Sequence, residues 1–229
     1  MQRKYEIKGC PLVKITSKEI IEKIQNGNFR MTSLKKYREM YKEDGDDIIG
    51  DPNEGKFYVH DAYIVIPEKN VCENVKEYAF ATPNENDFVF CMFEFDLKEN
   101  DIFRFSQTQK ERLPKFGDSA LIITNREEFI KRVKKGAERN GYSICYDSVN
   151  YYDESIDDVK YLCNQVIRGI ENIVFYKQKK YQYQQEFRLT TPYEGDRDFI
   201  EFDIGNISDI TQVVSTEKLL DSFTRQIKL

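Results

Sequence analysis

The sequence predicts one α+β domain with a mostly antiparallel, twisted sheet and flanking helices. Strand-like segments often follow one another directly, with only a few helical segments between them. The 229 residues contain no internal repeat, and no Pro-, Gly- or Ser-rich linker divides them. A doubly wound parallel sheet would require regular alternation of strands and helices, which this chain lacks. We therefore expect a single domain over 1–229.

Apolar runs and alternating apolar residues predict the strands. In chain order these are 11–15, 29–32, 57–66, 87–97, 119–124, 142–152, 182–190, 198–204 and 207–214. The stretch between the third and fourth of them is polar and has no clear periodicity, so no strand is predicted there. A polar loop is expected at 43–55, where Asp-Pro and Gly favour turns.

Helix caps and apolar stripes predict the helices. Thr16 and Glu19 have the spacing of a capping box, and Asn26-Gly27 ends the helix that follows. Ser33 caps a second, short helix. Further helices are predicted at 127–139, 156–175 and 216–223, and we expect the longest of them to pack on the sheet.

Composition limits the classes of partner. The hydrophobic fraction is 40%, with 16 Phe and 15 Tyr, which is enough large apolar side chains for a proper core. The net charge of -5 argues against a general nucleic-acid coat protein, but leaves room for an enzyme with a local basic groove. No apolar run approaches the roughly 20 residues that span a bilayer, and the first six residues have no apolar segment. We expect a cytoplasmic protein without a membrane partner.

Cysteine and histidine usage limits the chemistry further. The five cysteines are odd in number and include no C-x-x-C pair, so we expect reduced thiols and no disulfide. The single histidine, His60, excludes zinc sites built on two histidines, and a Ser or Cys triad would have to use it. No bound metal is expected. The absence of a Gly-rich phosphate loop excludes kinase, P-loop and Rossmann types.

The segment 181–189 carries the most specific polar pattern. Strand alternation places its mainly aromatic residues on a core-facing side and sends Gln184, Glu186 and Arg188 to the other side, where we expect them to be accessible. The carboxylate of Glu186 there lies between the amide of Gln184 and the guanidinium of Arg188. The simplest interpretation is a solvated strand face with an Arg–Glu pair.

Gln184-x-Glu186 resembles the Q-x-E motif of mono-ADP-ribosyltransferases. The resemblance implies that Glu186 binds the nicotinamide ribose of NAD and stabilises the oxocarbenium ion, because a fixed anion favours a developing cation. It also implies that Gln184 orients the acceptor.

The N-terminal part is similar to the start of the DNA-modifying ADP-ribosyltransferases of the DarT kind. The similarity covers Val13-Lys14-Ile15-Thr16 and, after a capped helix, 26–33. Lys14 stands where those proteins have the histidine of His-x-Thr. The resemblance implies NAD contacts from Lys14, Thr16 and Arg30. Tyr37 and Arg38, which precede the polar loop, could add aromatic and cationic contacts to a dinucleotide.

Most of 12–214 resembles a family of uncharacterised bacterial proteins. Its members carry an early (N/G)-D-P-x-E element, a mid-chain strand with a Cys, and a late Lys…Tyr…E-x-E-x-R element. The corresponding residues here are Gly50-Asp51-Pro52-Asn53-Glu54, Cys91, Lys177 or Lys180, Tyr181, Gln184, Glu186 and Arg188. The resemblance implies that Asp51, Glu54, Glu186 and Arg188 belong to one site.

Three functions follow as hypotheses. The first is an NAD-dependent ADP-ribosyltransferase-like enzyme, as a toxin or phage-defence component, acting on nucleic acid or protein. The second is a non-catalytic module that binds a nucleotide or a protein on the same face. The third is a metal-dependent nuclease, since Asp87, Asp96 and Lys98 approximate a D…(D/E)-x-K arrangement. The basic stretches at 131–135 and 177–180 are interpreted as solvated surface.

Overall fold

The structure of the protein is a computed structural model, which describes residues 10–44, 50–66, 71–81, 86–95, 104–153, 156–167, 169 and 172–222. The α+β class and the mostly antiparallel sheet are confirmed. The strands are β1 (Leu12–Thr16), β2 (Asn28–Ser33), β3 (Lys56–Ile66), β4 (Val71–Ala81), β5 (Phe88–Glu94), β6 (Ser119–Ile123), β7 (Cys145–Ser148), β8 (Asn150–Tyr152), β9 (Tyr176–Gln178), β10 (Glu186–Thr191), β11 (Phe199–Asp203) and β12 (Thr211–Ser215).

The α-helices are α1 (Lys18–Gln25), α2 (Leu34–Asp44), α3 (Gln107–Arg112), α4 (Arg126–Glu138), α5 (Ile156–Ile167) and α6 (Thr216–Ser222). The N-cap of α1 is Ser17, whose hydroxyl accepts from the Ile20 amide, and not the predicted Thr16, because Thr16 still belongs to β1. Ser33 accepts from the amide of Lys36, as its position before α2 predicts. None of the described helices is both long and apolar enough to cross a bilayer.

The main sheet is antiparallel and branches at β5. One edge of β5 pairs with β10 from Phe88 to Phe93, and β7 lies outside β10. The other edge is shared, because β2 pairs only with Phe88 and Val89 while β1 pairs only with Phe93 and Glu94. Strands β6 and β12 continue from β1, and β11 continues from β2. The edge of β5 around Cys91 therefore lies in a fork between β1 and β2.

The core lies on both faces of this sheet. Helices α1 and α4 cover one face with apolar side chains that meet Phe29, Phe90 and Leu121. The opposite face has one apolar cluster around Phe93 and Phe105 and a smaller one that joins Leu34, Val89 and Val174. The polar residues of β10 lie on this second face, since Glu186 and Arg188 pair across the ladder with Phe93 and Cys91.

Several sequence-based boundaries were wrong. The helix expected at 156–175 ends at Ile167, and it packs with Phe57 and Tyr152 rather than on the main sheet. A separate 3₁₀ helix covers Ile173–Phe175. The polar stretch before β5 contains β4, which forms a long hairpin with β3. The segment predicted as one strand at 142–152 forms β7 and β8, which join different sheets.

The largest correction concerns the predicted strand at 182–190. Lys179–Gln184 is a 3₁₀ helix, and Gln185 has a left-handed backbone with φ of 39°. Strand β10 therefore begins only at Glu186. Aromatic alternation over 181–189 resembles a strand, but the turn at Gln185 breaks its register with Glu186.

Candidate functional site: a buried ring of four charges

Four charged side chains form a closed ring, which we call the charge ring: Glu54, Lys177, Glu186 and Arg188. Lys177 Nζ lies 2.8 Å from Glu186 Oε1 and 3.5 Å from Glu54 Oε2. Arg188 closes the other side, with Nε 2.7 Å from Glu186 Oε2 and one terminal nitrogen 2.7 Å from Glu54 Oε1. All four side chains are between 1% and 9% exposed.

Three distant segments build the ring. Strand β10 supplies Glu186 and Arg188, two residues apart and therefore on one face. Lys177 is the middle residue of β9. Glu54 lies in the turn before β3, and its carbonyl accepts from Arg38 of α2 at 2.8 Å. These segments come together only in the folded protein, where they place two carboxylates against two cations.

Neighbouring polar groups add further hydrogen bonds to the residues of the ring. Gln184 Oε1 accepts from Lys177 Nζ at 2.7 Å. Arg188 donates to the carbonyl of Val174 at 2.7 Å. The backbone amide of Glu186 donates to the hydroxyl of Tyr151 at 2.8 Å. Pairing of this kind makes buried charges tolerable, since an unpaired one would cost several kcal/mol.

The pairing fixes the charge states of the ring. Burial alone would raise the pKa of Glu186, but Arg188 and Lys177 bring that pKa well below its ordinary value. Burial would lower the pKa of Lys177, yet the attraction of Glu186 and Glu54 raises it well above its ordinary value. The pKa of Arg188 is raised for the same reason. Glu186 is therefore a permanent anion over the physiological range.

Weakly acidic groups surround the ring. Burial raises the pKa of the Cys91 thiol to about 12, and nearby Glu186 adds to the shift. Burial also raises the pKa of Tyr37 and of Tyr151, and both hydroxyls interact electrostatically with Glu186. All three groups are neutral at pH 7, so they contribute hydrogen-bonding and packing rather than charge.

Asp51 is an additional carboxyl beside the ring. It is 2% exposed, and its Oδ1 accepts from the Asn53 amide at 2.9 Å. Burial and the nearby Glu54 carboxylate raise its pKa to about 6, although Lys177 and Arg188 act in the opposite direction. This group can thus change its protonation state near neutral pH.

The structure brings together the residues of the early and late motifs. Glu54, Glu186 and Arg188 are in direct contact, and Asp51 lies within electrostatic range of Glu54 and Arg188. Gln184 also reaches the site, through Lys177, but from a 3₁₀ helix rather than from the strand. The expectation of an accessible face was wrong, because α2, β8 and β9 supply side chains that cover this side of β10.

The other predicted NAD contacts are only partly near the ring. Lys14 lies in the fork of the sheet, where its Nζ donates to the Cys91 carbonyl at 2.9 Å. Burial lowers the pKa of Lys14, and Glu186 partly offsets this effect. Thr16 ends β1 opposite Ser119 of β6.

Arg30 lies away from the ring. It is exposed on β2, where its guanidinium stacks 3.6 Å over the ring of Phe199. Its strand partner is Glu201 of β11. Tyr37, in contrast, packs against the cluster of Leu34, and its hydroxyl interacts electrostatically with the charged groups of the ring.

Sequence reasoning missed Lys177 and Tyr151 as site residues. Lys177 was placed in the late motif, but the run around it, Lys-Gln-Lys-Lys, was interpreted as solvated surface. The half-buried Tyr176 and the buried Gln178 on either side of Lys177 give no alternation that separates Lys177 from Lys179. No local signal marks Tyr151, because its contact with β10 depends on tertiary packing.

The nuclease hypothesis stays a prediction. Of its residues the structure describes only Asp87, which precedes β5 and whose Oδ1 accepts from the Tyr193 amide at 3.3 Å. Asp96 and Lys98 lie outside the described residues, as does the side chain of His60. Among the described side chains no three ligands form a group that could hold a metal ion.

No protein-family model, curated protein or solved structure matches this chain.

Proposed function

We propose that the chain is an NAD-dependent ADP-ribosyltransferase-like enzyme with its reaction centre at the charge ring and with a nucleic-acid or protein acceptor. The observation that carries the proposal is the permanent anion of Glu186, held in place by two cations. In this reaction the bond between C1′ of the ribose and nicotinamide breaks. Nicotinamide leaves neutral with the electron pair, while positive charge develops on the ribose. A fixed carboxylate stabilises that charge.

Lys177 is the partner of Glu186 that a ribose would replace. Its ammonium also lies 3.5 Å from Glu54 Oε2, so it keeps an anionic partner after moving away from Glu186 Oε1 and Gln184. Arg188 is fixed more firmly, because it also bonds Glu54 and the Val174 carbonyl. Arg188 would therefore hold the carboxylate while a sugar hydroxyl approaches Oε1.

Gln184 would also respond to the replacement of Lys177 by a ribose hydroxyl at Glu186. Its Oε1 accepts from Lys177, and its amide nitrogen donates to the hydroxyl of Tyr183 at 3.2 Å. Once Lys177 moves, the amide oxygen becomes available to an acceptor hydroxyl or amine. This gives Gln184 the role of orienting the acceptor.

The test is nicotinamide release from NAD by the purified protein. We expect turnover by the wild type, and selective loss of acceptor modification over NAD hydrolysis in Gln184→Ala. Glu127→Gln, an exposed change on α4, is the control and should retain full activity. Absence of NAD binding by calorimetry in the folded wild type would end the proposal.

The second candidate is a non-catalytic module that binds a nucleotide or a protein. The observation that favours it is the full engagement of Glu186, whose two oxygens already have cationic partners in a buried setting. A closed ring of this kind can serve to fix the fold around a binding surface. Saturable NAD binding without nicotinamide release would select this candidate over the enzyme.

A further inference from the structure

Asp51 is a carboxyl at the charge ring that has no ion pair among the described residues. Lys177 Nζ donates to Gln184 and Glu186 and lies 3.5 Å from Glu54 Oε2. The guanidinium of Arg188 is directed to Glu186, Glu54 and the Val174 carbonyl. Both cations thus pair with Glu54 and Glu186, and among the described residues neither forms an ion pair with Asp51.

The backbone holds this carboxyl in position. Gly50 is packed so tightly on α2 that a Cβ there would lie 2.4 Å from the amide nitrogen of Tyr41. The Asp51 carbonyl accepts from the Glu54 amide at 3.2 Å, and Oδ1 accepts from the Asn53 amide. Asp51 Oδ2 has no hydrogen-bond donor among the described residues. A side chain fixed through one oxygen therefore presents the other without a partner.

The electrostatic surroundings keep this group titratable. Three charged groups act on it: Glu54 from the same turn, Lys177 from β9 and Arg188 from β10. Burial and Glu54 raise its pKa to about 6, above the effects of the two cations. At pH 7 the group is mostly ionised and ready to accept a proton, which is the range favourable for a general base. Glu186 cannot share this task, because its pKa is held too low.

We propose that Asp51 is the proton-transferring carboxyl of this site, and the assignment rests on the function proposed above. As the acceptor oxygen forms its bond to C1′ of the ribose, its proton passes to Asp51. The electron pair of the breaking C1′–N bond leaves with nicotinamide. Asp51 then returns the proton to solvent. Lys177, Glu186 and Arg188 keep their charges throughout.

The test compares Asp51→Asn with the wild type in nicotinamide release and in NAD calorimetry, with Glu127→Gln as control. Asparagine keeps the acceptor for the Asn53 amide, so the turn should persist, and circular dichroism and thermal unfolding verify this. We expect kcat to fall at least about 100-fold while the Kd of NAD changes less than about threefold. The wild-type pH profile should have an acidic limb near pH 6 that Asp51→Asn lacks.

The outcomes separate this assignment from the proposed function. Turnover by the wild type with full activity in folded Asp51→Asn, or a retained acidic limb, overturns the role of Asp51 alone. Turnover by the wild type, loss in Asp51→Asn and partial recovery in Asp51→Glu support it. A folded wild type without NAD turnover overturns both.

Discussion

Glu54 and Arg188 are 134 residues apart in the sequence, yet a 2.7 Å hydrogen bond joins their side chains inside the protein. This contact attaches the turn before β3 to the central strand β10. Because both side chains are buried, the bond is only tolerable as part of the full charge ring. We therefore expect the charge ring to determine both the stability of the fold and the chemistry of the site.

Removal of Arg188 should strongly destabilise the fold. Arg188→Met leaves the carboxylates of Glu54 and Glu186 with Lys177 alone, so an uncompensated negative charge remains buried. We expect a loss of about 3 to 5 kcal/mol in the free energy of unfolding, measured by urea denaturation. The control Lys23→Met removes only an exposed ion pair on α1 and should leave the midpoint unchanged. A loss no larger than that of the control would contradict the ring.

Charge balance should make paired changes less harmful than single ones. Lys177→Met and Glu186→Gln each leave an unbalanced buried charge, whereas the double variant retains the neutral pair of Glu54 and Arg188. The double variant should be more stable than the sum of the single effects predicts, by about 1 to 3 kcal/mol in a double-mutant cycle. Strict additivity would show that these two side chains do not act as a unit.

Asp51 should make the protein more stable at pH 5 than at pH 7. Its pKa in the folded protein is raised to about 6, so the folded state binds more protons than the unfolded state between pH 4 and 6. Its contribution is therefore present at low pH and lost as pH rises through 6. The expected difference between pH 5 and pH 7 is about 1 kcal/mol, and Asp51→Asn should abolish it.

Glu186 should act in the opposite direction and at lower pH. Its pKa is lowered in the folded state, so its stabilisation is present above its unfolded pKa and lost as pH falls below about 4. Urea midpoints from pH 3 to 8 resolve the two effects. A wild type whose stability rises steadily from pH 5 to 7, with Asp51→Asn behaving identically, would refute the assignment to Asp51.

The cysteines should differ sharply in reactivity. Cys10, Cys91, Cys145 and Cys163 are free thiols, and the side chain of Cys72 lies outside the described residues. Cys145 is exposed, whereas burial raises the pKa of Cys91 to about 12 and leaves almost no thiolate. Iodoacetamide at pH 8 with peptide mass mapping should therefore label Cys145 much faster than Cys91. Equal rates would show that Cys91 is accessible.

The sequence predicted the elements whose signals are local and missed those that depend on tertiary contacts. Ser33 caps α2 and the stripe of Phe129 and Val133 lies in the core, because caps and periodicity act within a few residues. The burial of Lys177 follows from carboxylates contributed by other segments, so a run of lysines gave no indication of it. Gln185 interrupts the predicted strand because its backbone is left-handed. Nothing in the sequence indicates this, since such a conformation is usually adopted by glycine.

In the site, too, features with a local sequence signal were predicted and features that depend on tertiary contacts were not. The short motifs around Glu54 and Glu186 indicated one site, and the structure places both side chains on Arg188. Their burial was not foreseen, and it changes the expected effect of Glu186→Gln. On an accessible face this substitution should cost less than about 1 kcal/mol. Within the ring it leaves one anion for two buried cations, so about 3 kcal/mol or more is expected.

The central claim is that the permanent anion of Glu186 serves NAD cleavage, and nicotinamide release by wild type and Glu186→Gln tests it most directly. Both proteins are assayed below their unfolding temperatures, with circular dichroism verifying the fold. The account predicts NAD turnover by the wild type and a rate at least about 100-fold lower in Glu186→Gln, equivalent to about 3 kcal/mol of transition-state stabilisation. A folded wild type that neither binds nor cleaves NAD, or a folded Glu186→Gln with the wild-type rate, would contradict it.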